Sequence, residues 1–123
     1  MSIAAFTNPT IAEHVARVEA VDGTIVVSVG ETVLCTTDKA VRLLEQSARG
    51  KYPPVLYFPK ADTSDKLTPV EGRSTHCPLK GDASYFGFDG QEVAWVYDRP
   101  LPDAALMADY VGFYSDKVNI TKT

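Results

Sequence analysis

Cysteine is scarce in this chain. Cys35 and Cys77 are the two among 123 residues, and no C-x-x-C occurs. Structural zinc commonly takes four ligands in close pairs, whereas here the thiols, His14 and His76 are dispersed, so neither a metal nor another cofactor is expected. Runs of Lys or Arg are missing too, and the net charge is −4, so successive phosphates would go unneutralised and nucleic acid is not the expected partner. No apolar stretch approaches a membrane helix, and residues 1–10 lack the basic start and apolar run of a signal peptide. The expectation is a cytoplasmic protein with no membrane partner and with reduced thiols; a Cys35–Cys77 disulfide is the alternative. Neither G-x-x-x-x-G-K-[ST] nor G-x-G-x-x-G is present, and no two carboxylates stand two residues apart. Nucleotidyl transfer usually uses a phosphate cradle and closely spaced metal-binding carboxylates, so the residues argue against it, although distant carboxylates can meet in space.

Apolar residues make up 45% of the chain, enough for a globular core in one domain. Residues 1–13 read as a loosely held arm with a turn at Asn8-Pro9, and residues 14–123 as a single β-rich domain. Val15 to Ala20 suits a strand with one wet face. Asp22-Gly23 is a hairpin signal, Thr24 to Val29 is β-branched almost throughout, and Gly30-Glu31 turns the chain into a third strand, Thr32 to Cys35. Ala40, Val41, Leu43 and Leu44 fit a short helix over Lys39–Gln46, or a helical turn leading into an extended segment. Val55 to Phe58 reads as a buried strand ended by Pro59. Residues 60–73 make the longest loop, the kind that often serves as a lid. Ser74 to Cys77 is extended, with Pro78 pointing to an edge or bulge. Ala83 to Phe88 returns, Asp89-Gly90 turns, and Glu92 to Tyr97 is apolar on both faces, as a central strand is. A short helix then follows Pro100 and Pro102, with Asp103 as its cap. The fold class is mainly β: antiparallel sheets packed on each other, with one or two short helices.

Chemistry concentrates in Thr75-His76-Cys77-Pro78-Leu79-Lys80-Gly81-Asp82-Ala83-Ser84-Tyr85. On an extended segment Thr75 and Cys77 share a face and His76 points away, so His76 is a poor base for Cys77, and nothing local brings His14 to it. Cys77 is either a small buried hydrophobe or a thiol activated by Lys80. Lys80 is either solvated or a charge aimed at an anion, with Gly81 allowing close backbone approach. Tyr57, Tyr85, Trp95 and Tyr97 are core aromatics whose polar tips need partners or line a cavity. Asp62 either fixes the loop after Pro59 or pairs with Lys80.

Several spacings carry a resemblance. Pro54-x-x-Tyr57-Phe58-Pro59-x-x-Asp62, Thr75-x-Cys77-Pro78-x-Lys80-Gly81-x-Ala83-x-Tyr85, Ala94-Trp95-x-Tyr97 and Tyr110-Val111-x-Phe113-Tyr114 resemble the family named domain of unknown function 427. The resemblance runs from about Arg17 to Val118, and Thr63 departs from it where an aliphatic residue is usual. It implies a β-tent-like arrangement, of a kind that in some relatives carries zinc between paired cysteines absent here. It also carries a nucleotidyltransferase-like label, and it raises the anion-facing reading of Lys80. Glu45 and Arg17 match polar positions of the family and either close the same pocket or face water. The function expected is binding, with processing as a further step, of a small polar or anionic metabolite beneath the 60–73 loop. Tyr57, Asp62, Thr75, Cys77, Lys80, Gly81, Tyr85 and Trp95 form that pocket, and Cys77 and Lys80 are the catalytic candidates. The alternative is a non-catalytic interaction module whose motif residues serve folding.

Overall fold

The computed structural model describes residues 2–123, so Met1 of the expected arm lies outside the described residues. The described residues form twelve strands: β1 Ser2–Thr7, β2 Val15–Ala20, β3 Ile25–Val29, β4 Thr32–Thr37, β5 Val41–Ser47, β6 Gly50–Lys51, β7 Val55–Pro59, β8 Thr68–Cys77, β9 Gly81–Phe88, β10 Gln91–Pro100, β11 Tyr110–Phe113 and β12 Asn119–Lys122. Two 3-10 segments, Lys60–Asp62 and Pro102–Asp109, interrupt them. The larger sheet runs β1-β2-β5-β7-β11-β10-β9-β8, with β6 paired to β5; the smaller runs β12-β3-β4. All the pairings between these strands are antiparallel. The fold is mainly β, as the composition of turns and β-branched runs implies.

Each face of the larger sheet carries its own core. On one face the smaller sheet covers Phe58, Val93, Ala94, Val96, Val111 and Phe113 with Ile25, Val27, Leu34 and Cys35. On the other, Phe6, Val18, Val41, Leu43 and Tyr57 meet Ala104 and Met107 of the second 3-10 segment and Leu79 of the β8–β9 turn. Period-two alternation divides the strands between these cores: in β9, Gly81, Ala83, Tyr85 and Gly87 are buried and their neighbours half-buried. β10 lies between β9 and β11, the central position its two apolar faces require.

Several expected elements differ. Ser2–Thr7 is not a loose arm but an edge strand on β2, because Phe6 turns inward and is buried. Asp22-Gly23 does bend the chain, with Gly23 at φ +92. It does not close a hairpin: β2 pairs with β1 and β5, β3 with β4 and β12, and the turn is a corner between sheets. Over 39–46, open to a short helix or to a helical turn leading into an extended segment, the extended alternative holds from Val41 on: strand β5 runs Val41–Ser47, with Val41 and Leu43 buried while Arg42 and Leu44 are half-buried. The long loop shrinks because Thr68 already begins β8, whose register slips between Pro69 and Ser74. Asp103 lies inside the second 3-10 segment; its cap position is Leu101, with no side-chain cap bond. Among the described residues no helix is long and apolar enough to cross a membrane.

Candidate functional site

Strand register decides which side chains meet. Across the larger sheet Val41 pairs with Tyr57, Tyr57 with Gly112, Gly112 with Trp95 and Trp95 with Tyr85. Directly paired residues share a face, so these side chains stand in one row on the side that the second 3-10 segment covers. Thr75 and Cys77 face the same way from edge strand β8, opposite Ala83 and Gly81. Gly112 is needed in this row, because a Cβ there would run into the Trp95 indole. Gly81, at φ +114, lets β9 start against the backbone of Arg99–Leu101, whose atoms lie 2.5 to 2.7 Å from where a Cβ would sit.

Lys80 leaves the β8–β9 turn and enters this face. Its side chain is 11% exposed, with the ammonium 3.2 Å from Glu45 Oε1 and 5.2 Å from the centre of the Tyr97 ring. Burial alone would depress the lysine pKa; the neighbouring Tyr57, Tyr97, Glu45 and Cys77 outweigh it and hold it above the ordinary value. At neutral pH the phenols are uncharged, so Glu45 supplies the compensating charge. Burial would raise the Glu45 pKa, but a hydrogen bond from His14 together with Lys80 brings it below the usual carboxylate value. His14 Nε2 lies 2.8 Å from Glu45 Oε2, and His14 Nδ1 lies 3.1 Å from the Asn8 side-chain nitrogen. Burial pushes the Tyr97 phenol up to about 12, against the pull of Lys80. The Tyr57 phenol is raised by burial as well, although Lys80 and Trp95 oppose it; the Trp95 N–H donates to its oxygen at 3.1 Å.

A second polar cluster occupies the β8 end of the face. Thr75 and Tyr85 share a hydrogen bond of 2.5 Å, and the Arg73 guanidinium lies 4.3 Å from the centre of the Tyr85 ring. Arg73 donates to Glu92 at 2.9 Å, and the Tyr114 hydroxyl donates to the other Glu92 oxygen at 2.8 Å. Tyr114 and Trp95 rings are 4.9 Å apart, so the two clusters join through the indole.

Seven of the eight expected site residues therefore share one face: Tyr57, Thr75, Cys77, Lys80, Gly81, Tyr85 and Trp95. Asp62 is elsewhere. Thr37 donates to it at 2.7 Å, and it adds to the burial that pushes the Cys35 thiol up to about 12. The stretch after β7 is pinned to β4 by Ser64 N–H to Leu34 O and by the Cys35–Thr63 bridge, so it is no lid over Lys80. Arg17 pairs with Glu19 at 3.2 Å and aligns with Ala5 and Leu44, on the face away from Glu45. His76, paired with Asp82 at 2.7 Å, stays exposed and away from Cys77. Cys35 lies in one core and Cys77 against the other, both as free thiols. Among the described residues no three His, Cys, Asp or Glu side chains converge to hold a metal ion. A groove of about 600 Å³ opens between β1, β2, β5 and Tyr52, and Lys80 and Cys77 do not line it. Sequence reasoning missed His14 and Asn8 as site residues; the Asn8-Pro9 turn was visible, but only the β2–β5 register brings it beside Glu45.

Arranged this way, the face offers an ammonium that keeps its proton and phenols that keep theirs. It is rich in hydrogen-bond donors, and Lys80 is a poor nucleophile. No curated protein matches the chain. Residues 17–123 match the family described as a domain of unknown function, number 427. With most of its length inside that match, the chain belongs to the domain of unknown function 427 family.

Proposed function

We propose that the face around Lys80 binds a small polar or anionic molecule through acceptor oxygens. One observation carries this reading: the largely buried Lys80 ammonium has a single carboxylate partner, Glu45, for its three N–H donors. A buried charge is costly unless its hydrogen bonds are made, and a ligand oxygen completes them. Tyr97 beneath the ammonium, and Tyr57, Cys77 and Trp95 around it, supply the walls. The motif Thr75-x-Cys77-Pro78-x-Lys80-Gly81 then has a physical purpose. Gly81 and Pro78 shape a turn that carries the lysine inward from an edge strand.

Thermal melts of wild type, Lys80→Met and Cys77→Ser in phosphate, sulfate and small carboxylates test this. Ligands that bind the native state raise its melting temperature with concentration. The expected result is stabilisation of wild type by at least one of these anions, a changed response in Cys77→Ser and none in Lys80→Met. Identical responses in all three proteins, with Lys80→Met as stable as wild type, overturn the reading.

A further inference from the structure

We infer that Asn8 and His14, on the turn between β1 and β2, are positioning residues for the Lys80 site: they fix the Glu45 carboxylate that holds the ammonium. The inference rests on the binding reading for its use, but its geometry stands apart from it. Both residues precede the family match, which starts at residue 17. They lie on the turn that follows β1 and leads into β2.

The argument is an inventory of donors and acceptors. Asn8 Oδ1 accepts the Thr10 N–H at 2.9 Å, the Thr10 hydroxyl at 3.0 Å and the Ile11 N–H at 3.3 Å. Those three donors settle which end of the amide is oxygen. The other end, Nδ2, can only donate, and it faces His14 Nδ1 at 3.1 Å. His14 Nδ1 therefore accepts, and the ring proton sits on Nε2, where it donates to Glu45 Oε2 at 2.8 Å. The second Glu45 oxygen, Oε1, is left to Lys80 at 3.2 Å. An N–H on Nδ1 would point at the Asn8 N–H, so the turn favours the tautomer that carries its proton on Nε2.

The turn itself is built for this. The Asn8 N–H donates to His14 O at 2.8 Å and the His14 N–H to Ile11 O at 3.1 Å, which closes residues 8–14 on themselves. Asn8 is buried although polar, and the His14 side chain is only 14% exposed. A carboxylate free to rotate would meet Lys80 in one rotamer among several. One gripped at its other oxygen meets it in a single geometry.

Nuclear magnetic resonance of the full chain tests the inference. There are two histidines, and His76→Gln assigns the ring signals of His14. Lys80→Met assigns the Lys80 ammonium signal, which is visible only when exchange with water is slow. The expected result in wild type is a His14 ring that donates its Nε2 proton and leaves Nδ1 bare, together with a visible Lys80 ammonium. That ammonium persists in His14→Gln, which keeps a donor for Glu45, and is lost in His14→Ala and in Glu45→Gln. A His14 proton on Nδ1, an invisible wild-type ammonium, or equal behaviour of His14→Gln and His14→Ala overturns the inference. Should His14→Ala not fold, the wild-type ring signals and His14→Gln decide alone. Failure of the binding reading is separable: anions would then leave every melting temperature unchanged while the ring and ammonium signals stay as expected.

Discussion

At the residue scale, Lys80, Glu45 and His14 form a chain whose members depend on one another. Removing one partner of a largely buried pair strands the other, and the penalty is about 1–3 kcal/mol. Lys80→Met leaves Glu45 to His14 alone, and Glu45→Gln leaves the ammonium without its carboxylate. Urea unfolding should place each single variant in that range below wild type. The double variant should lose less than the sum, because neither partner is left stranded; a strictly additive double variant contradicts the pairing. These relations were partly legible. The shared face of Thr75 and Cys77, with His76 opposite, follows from alternation along an extended segment. Asp62 as the partner of Lys80 did not survive, because which carboxylate meets a lysine depends on how strands stack, and the Lys60–Asp62 turn goes to β4. His14 was invisible for the same reason: the pairings Val15–Gln46 and Ala16–Glu45 bring the end of β2 to Glu45 across thirty-one residues.

At the element scale, turn chemistry told where the chain bends better than what the bend connects. Asp89-Gly90 closes the β9–β10 hairpin, with φ +53 and +79, as such a pair does. Asp22-Gly23 bends just as well, yet Val21 and Ile25 on either side both enter the inter-sheet core and carry the chain from one sheet to the other. Over 41–47 a short apolar run fits helix and strand alike, and pairing with β2 and β7 decided for strand. Gly112 in β11 shows what packing demands of an element. Gly112→Ala would push a methyl into the Trp95 ring, and overpacking of this kind costs about 1–3 kcal/mol. As Trp95 is the one tryptophan, its fluorescence reports the shift directly. In a Trp95→Phe background the same substitution should cost less. Equal costs in both backgrounds would mean that the indole is not what excludes a side chain at 112.

At the scale of the whole molecule, one large sheet separates two cores, and each core holds groups that must keep a particular protonation state. Glu45, on the Lys80 face, is held below its ordinary pKa of 4.5, so its contribution is complete above that value and is lost as the pH falls through its lower folded value. Cys35, in the inter-sheet core, is raised from 9.0 to about 12 by burial and then by Asp62, so its contribution is complete below 9.0 and is lost as the pH climbs toward 12. Tyr97 rises from 10.0 to about 12 in the opposite core, and its contribution disappears over the upper part of the same interval. Lys80, raised from 10.5, keeps its contribution below that value and loses it only at still more alkaline pH. Alkali therefore strikes both cores while acid strikes the Lys80 face first. Melting temperature against pH should fall on both flanks. Glu45→Gln should flatten the acid flank, and Cys35→Ala should delay the alkaline one without touching the acid one. Near-ultraviolet absorbance should show Tyr97 ionising only as the fold is lost. A melting temperature that stays level from pH 9 to 12, or an alkaline flank unmoved by Cys35→Ala, would show that the Cys35 thiol of the inter-sheet core does not limit the fold.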